Sequence, residues 1–146
     1  MSPKRDAEYR LKLAAGFLRE AEEDIRLSRW RSSVDNAQMA VENAAKAVIA
    51  MRGPVPKIHQ LEGALSKLLK DTRLKSLRTE VTTLRETCEK LGFEEHIRTD
   101  YGDESRYQTP WDLFDQGSAE EAVSLARRAH GTALGIIEKW PQGKKQ

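Results

Sequence analysis

Apolar residues return along this chain at steps of three and four. Val34, Ala37, Val41, Ala44, Ala45, Val48 and Ile49 lie at helical spacing, so one stripe packs on neighbouring helices. Arg52-Gly53-Pro54-Val55-Pro56 then stops the helix. Before it, Leu11, Ala14, Ala15, Leu18, Ala21 and Ile25 predict a first helix, opened by Ser2-Pro3 and closed near Ser28-Arg29. Trp30 falls at the short turn between the two, with Ser32 or Ser33 as the expected cap of the second helix. The brevity of that turn predicts an antiparallel αα-hairpin.

Beyond the proline stretch, His59 opens a third, short helix carrying Leu61, Ala64, Leu65, Leu68 and Leu69. A fourth, from Thr72 to Leu91, repeats Leu74, Leu77, Val81, Leu84, Cys88 and Leu91 as a narrow seam, suited to one helix or to a partner subunit. Gly92 stops it. Residues 93–117 break the pattern: Phe93, Tyr101, Tyr107, Trp111 and Phe114 stand among glycines, a proline and charges, and predict an irregular loop with a functional or packing role. Ser118 and Glu121 have capping-box spacing, and the last helix carries Ala119, Ala122, Val123, Ala126, Ala133 and Ile137 up to Trp140-Pro141. The expected fold is all-α: an antiparallel bundle of about five helices, a four-helix up-and-down core plus a short helix. One domain is expected over residues 1–141, with a basic flexible tail at 142–146.

Composition narrows the chemistry more than the fold. The 25 Lys+Arg and 23 Asp+Glu of the 146 residues are interspersed, so no dedicated nucleic-acid stripe is visible. A single cysteine, Cys88, on an apolar face reads as a small buried residue in a reducing compartment. No apolar run approaches the ~20 residues of a membrane span and the start lacks a signal-peptide core, so a cytoplasmic, non-membrane protein is expected.

Gly-rich phosphate loops, nucleophile elbows and Cys-X-X-Cys pairs are missing, and no histidine pair has metal-ligand spacing; no metal or cofactor is implied. Of the three histidines, His59 reads as the orienting partner of the proline loop and His130 as a structural residue, while His96 stands beside Glu94, Glu95 and Arg98. His59 and His96 are the candidates for any catalysis. Arg98, Tyr101, Asp103, Arg106 and Tyr107 combine guanidinium groups, which grip phosphate bidentately, with rings on which a base stacks; these five are the candidate nucleotide-binding residues. Their structural alternative is a loop pinned to the bundle by tyrosines and ion pairs. Asp35, Asn36, Gln38, Glu42, Asn43 and Lys46 read as a solvated polar flank of the second helix.

Three blocks resemble the HEPN superfamily, in its small prokaryotic and archaeal, nucleotidyltransferase-associated form. They are Phe17 to Asp24 followed by Trp30, Ala37 to Ala47 running on to Gly53 and His59-Gln60-Leu61, and Ile97 to Asp103. Where the third block usually reads Arg-Tyr-Pro-Asp, this chain has Asp100-Tyr101-Gly102-Asp103. The resemblance implies a nucleotide- or RNA-binding module, a homodimer, working beside a nucleotidyltransferase-type partner. Two alternatives stay open: a metal-independent RNase of toxin type, and a protein–protein adaptor without catalysis. RNases of this family carry an arginine, four to six residues and a histidine near the start of the last helix. That motif is absent there, which favours a non-enzymatic module. Arg52 and His59 have the spacing but flank the proline loop.

Overall fold

The computed structural model describes residues 2–142; Met1 and 143–146, the rest of the expected tail, lie outside the described residues. The chain is all-α, with seven α-helices and two short 3-10 turns among the described residues. Four longer helices carry the core: α1 (Pro3–Arg26), α2 (Trp30–Arg52), α4 (Arg78–Lys90) and α7 (Gln116–Glu138). The short α3 (Glu62–Leu69), α5 (Phe93–Tyr101) and α6 (Pro110–Leu113) fill the connections. Helix α2 is the axis of the bundle. It packs along α1, against α7, and more lightly on α4 and α5, so Ala37, Ala40, Val41, Ala44, Ala45, Ala47, Val48 and Ala50 are all buried. Small side chains all round are what this position demands, because neighbouring backbones approach closely on several sides.

The α1–α2 hairpin forms as the pattern predicts, but its turn is built differently. Ser2 caps α1 through its side chain and Pro3 sits in the first turn, as expected. The helix ends at Arg26, and Ser28 takes a left-handed φ of 57°. The Arg29 N–H then reaches Asp24 O at 2.8 Å and the Ser28 N–H reaches Ile25 O at 3.0 Å, the paired bonds of a Schellman ending with serine where glycine is usual. Ser32 and Ser33 do not cap α2. Ser32 Oγ donates to Asp24 Oδ2 at 2.8 Å, and Ser33 Oγ donates to Ala21 O at 2.8 Å, so both hydroxyls tie α2 to α1. Asp24 is buried and also accepts from Asn36 Nδ2 at 2.8 Å, which satisfies a carboxylate that would otherwise be costly there.

Four other expectations need correction. α3 starts at Glu62, so His59 precedes it instead of opening it. The stretch from Thr72 to Leu91 is not one helix: a 3-10 turn over Thr72–Leu77 breaks at Leu74 before α4 begins. Asp71 caps that turn and accepts from Arg73, and its carboxyl is held below the usual range by those bonds. Residues 93–117 are mostly helical, because Phe93 to Tyr101 and Pro110 to Leu113 form α5 and α6. The cap of α7 also moves: Asp115 and Ser118 make the capping box, with Ser118 at its third helical position.

Leu74, Leu77, Val81, Leu84, Cys88 and Leu91 are buried within this single chain, where α4 meets α3, α7 and α2. That seam is core, so it offers no surface to a protein partner. Burial pushes the Cys88 thiol up to about 12, and the charges of Glu62, Glu42 and Glu89 add to the shift. We expect a disulfide-exchange reagent at pH 8 to leave Cys88 unmodified in the native protein and to label it as urea unfolds the bundle. Rapid native labelling would contradict this burial.

Candidate functional site

The turn between α5 and α6 displays most of the candidate binding residues. Helix α5 ends at Gly102, with φ 71° and ψ −150°, a combination open only to glycine. A Cβ there would stand 2.1 Å from Gln108 O and 2.9 Å from the Thr109 carbonyl carbon. The approach is that close because Asp103 and Gln108 exchange backbone hydrogen bonds, Asp103 N–H to Gln108 O at 2.9 Å and Gln108 N–H to Asp103 O at 3.0 Å. Inside the loop so closed, Asp103 caps a 3-10 turn over Glu104–Arg106, accepting from Ser105 Oγ at 2.7 Å and from the Arg106 N–H at 3.3 Å. The Ser105 hydroxyl foremost, then the Arg106 backbone and guanidinium, hold the Asp103 carboxyl below its ordinary range. Tyr107 follows in the left-handed region, φ 56°.

Such a turn leaves its rings in water. Tyr101 is 65% exposed, Tyr107 94% and Trp111 73%. Thr109 and Asp112 lock the start of α6 in a reciprocal capping box, and their hydrogen bonds lower the Asp112 carboxyl. The five predicted residues are not all brought together. Asp103, Arg106 and Tyr107 share the turn, with Arg106 Nε 3.8 Å from Asp103 Oδ2, and Tyr101 is the last residue of α5 before it. Arg98 lies one helical turn earlier, 3.8 Å from Glu95, and lines a cavity of about 260 Å³ with Phe114, Ser118 and Glu121, which none of the other four lines.

The two candidate histidines come together on one side of α2, through a residue that sequence reasoning left unassigned. The Phe93 ring stacks on His59, centroids 4.5 Å apart and planes 9° from parallel, and meets His96 at 5.9 Å. Each imidazole has its own carboxylate. His96 Nδ1 is 2.8 Å from Asp35 Oδ1, with Asp100 3.9 Å from its other nitrogen, and His59 Nδ1 is 3.3 Å from Glu42 Oε2. Glu42 is only 5% exposed and Gln38 1%, which overturns the solvated-flank reading for the inner half of that set. The signal for this was present: Gln38, Glu42 and Lys46 repeat every four residues inside an alanine-rich helix, the spacing of an internal polar ladder.

Burial alone would raise the Glu42 carboxyl. The Lys46 ammonium at 2.9 Å outweighs it by hydrogen bond and charge, with help from Gln38 and His59, and holds the group below its usual value. A lowered folded value stabilises the protein above the unfolded carboxylate range, and that contribution is lost as pH falls through the folded value. Lys46→Met reverses the sign by leaving Glu42 buried without its cation. We expect a loss of about 1–3 kcal/mol at pH 7 by chemical denaturation, shrinking towards pH 4 as Glu42 takes a proton. A loss that stays flat with pH would contradict the pairing.

Arg52 and His59 engage separate partners: Arg52 Nε lies 3.8 Å from Asp71, while His59 rests on Phe93 and Glu42. The nuclease-like spacing does not bring the two side chains onto common neighbours. Among the described residues no three His, Cys, Asp or Glu gather as a metal site, and no helix is long and apolar enough to cross a membrane.

The fold is similar to that of TT1696 from Thermus thermophilus, with a TM-score of 0.65 and 24% identity, covering 92% of this chain and 98% of that one. No curated protein matches the sequence. Residues 7–136, from α1 almost to the end of α7, match the family model described as HEPN domain, and the chain therefore belongs to the HEPN domain family.

Proposed function

We propose that this chain binds nucleotides or RNA through the exposed turn between α5 and α6, working as a homodimer beside a nucleotidyltransferase-type partner. Family membership supports a nucleotide- or RNA-related helical module. The observation that carries the finer reading is the display of Tyr101 and Tyr107, 65% and 94% exposed, on a closed turn that also carries Arg106. Rings left in water on a rigid backbone offer stacking faces, and a neighbouring guanidinium offers phosphate contacts. Fluorescence anisotropy with a short single-stranded RNA tests this. Saturable binding, weakened by Arg106→Ala and by Tyr101→Ala, is expected; no binding, or equal affinity in both variants, sinks it.

The dimer reading is supported by the outer face of α1, where the partly exposed Leu13, Gly16 and Phe17 are flanked by Lys12, Glu20 and Arg26. Two copies meeting there about a two-fold axis cover apolar surface and pair opposite charges. Sedimentation showing only monomer at micromolar concentration removes this element. Co-purification with a nucleotidyltransferase encoded beside this chain checks the partner.

A second reading, a metal-independent RNase, is favoured by one observation: two imidazoles, each held by a carboxylate, flank Phe93. An imidazole oriented by a carboxylate can take or give a proton at a substrate that reaches it. RNA incubated in EDTA should stay intact. Cleavage abolished by His59→Ala or His96→Ala would make this reading the better one.

A further inference from the structure

We infer that the cleft between the start of α2 and α6 is a binding pocket for a nucleoside monophosphate, with the base on Trp111 and the phosphate held by Arg29 and Arg31. The cleft measures about 350 Å³, near the lower bound of small-molecule sites, and draws its walls from Trp30, Trp111 and Phe114 and its charge from the two arginines.

Each wall is fixed by its own physical cause. Phe114, 7% exposed, is anchored in the core. Trp111 is 73% exposed, yet it stands in the first turn of a helix locked by the Thr109–Asp112 capping box, so its ring is presented rather than loose. The Arg31 guanidinium carbon lies 5.6 Å from the centre of that ring, covering one face, while Nη1 donates to Thr99 O at 2.9 Å. Pinned in this way, Arg31 keeps further N–H donors for a ligand. Arg29 is exposed beside the left-handed Ser28, at the rim.

The chemistry of the lining selects the ligand. Two guanidinium groups and no carboxylate line the cleft among the described residues. Asp24, behind Ser32, is already taken up by Ser32 and Asn36. An anion is therefore favoured, and guanidinium forks match phosphate oxygens bidentately. A bare phosphate would leave the rings unused, and an uncharged planar ring would leave the arginines unused. A phosphorylated nucleoside uses both. The inference rests on the reading that this module takes nucleotides, but its residues lie outside the Tyr101–Tyr107 turn.

Isothermal titration of the full chain with AMP, adenosine and inorganic phosphate decides it. AMP should bind, with adenosine and phosphate each at least about tenfold weaker. Trp111→Ala and Arg29→Ala, both exposed positions whose circular dichroism should match wild type, should each weaken AMP about tenfold, while Tyr9→Ala, an exposed ring on α1 outside the cleft and the turn, should leave it unchanged. Absence of AMP binding, AMP binding indifferent to both variants, or phosphate binding as tightly as AMP overturns the pocket. RNA binding that persists when AMP binding is absent overturns the pocket alone. AMP binding lost with Trp111→Ala in a protein that ignores RNA supports the pocket and removes the role of the turn.

Discussion

Gly102→Ala should cost the protein both stability and its proposed ligand surface. At φ 71° and ψ −150° the backbone occupies a region reserved for glycine, and the new methyl would point at Gln108 O from 2.1 Å. The chain has two responses. If the turn holds, strain and overlap together cost about 3 kcal/mol, which for a chain of this size lowers the melting temperature by roughly 6–12 °C. If the turn opens, the paired Asp103–Gln108 hydrogen bonds are lost, and with them the fixed placement of Tyr101 and Tyr107. RNA affinity should fall where the turn opens and hold where it stays closed, while stability falls in either case. A variant that melts like wild type and binds RNA equally well would show that the turn is neither tight nor used.

Leu84→Glu is the larger perturbation. Leu84 is fully buried on α4, within the seam that faces α3, α7 and α2. The substitution removes about 2–5 kcal/mol of packing and puts an unpaired carboxylate in its place, a sum comparable to the whole stability of a typical domain, about 5–15 kcal/mol. The expected outcome is loss of the cooperative thermal transition in circular dichroism, with Leu84→Ala still folded but destabilised. A soluble, helical, monomeric Leu84→Glu protein would mean that the seam is an interface between chains instead of a core.

Where local pattern and tertiary burial agree, the fold was legible in the sequence. The stripe on α2 and the apolar row of α7 follow helical spacing and are buried as expected, and Ser2-Pro3 starts α1 as its capping chemistry predicts. The misread caps of α2 have one cause, side chains that bond across elements. Ser32 and Ser33 look like caps but serve Asp24 and Ala21 O. Residues 93–117 look like a loop because α5 and α6 are short and close on glycine and phenylalanine, with little apolar periodicity to announce them.

The candidate site was half legible. The aromatic and arginine residues of the turn were visible as residue types, but Arg98 faces another cavity. The Phe93 stack between two histidines depends on a contact between segments far apart in the chain, which no local spacing encodes. The departure at Gly102 from the family's proline has a direct explanation. Proline fixes φ near −65° and has no N–H, whereas this position needs φ 71° and gives its N–H to Arg98 O at 2.9 Å. The neighbouring departure, Asp100, stands 3.9 Å from His96.

The central claim is that the exposed rings of the turn serve binding and contribute little to the fold. Measuring short single-stranded RNA affinity and melting temperature together, for wild type and for the Tyr101→Ala/Tyr107→Ala double variant, tests it most directly. Each stacked base contributes about 1–3 kcal/mol, so the double variant should bind at least about tenfold more weakly while its melting temperature stays unchanged. Equal RNA affinity in the two proteins, or a loss of affinity that merely follows a fall in melting temperature, would contradict it.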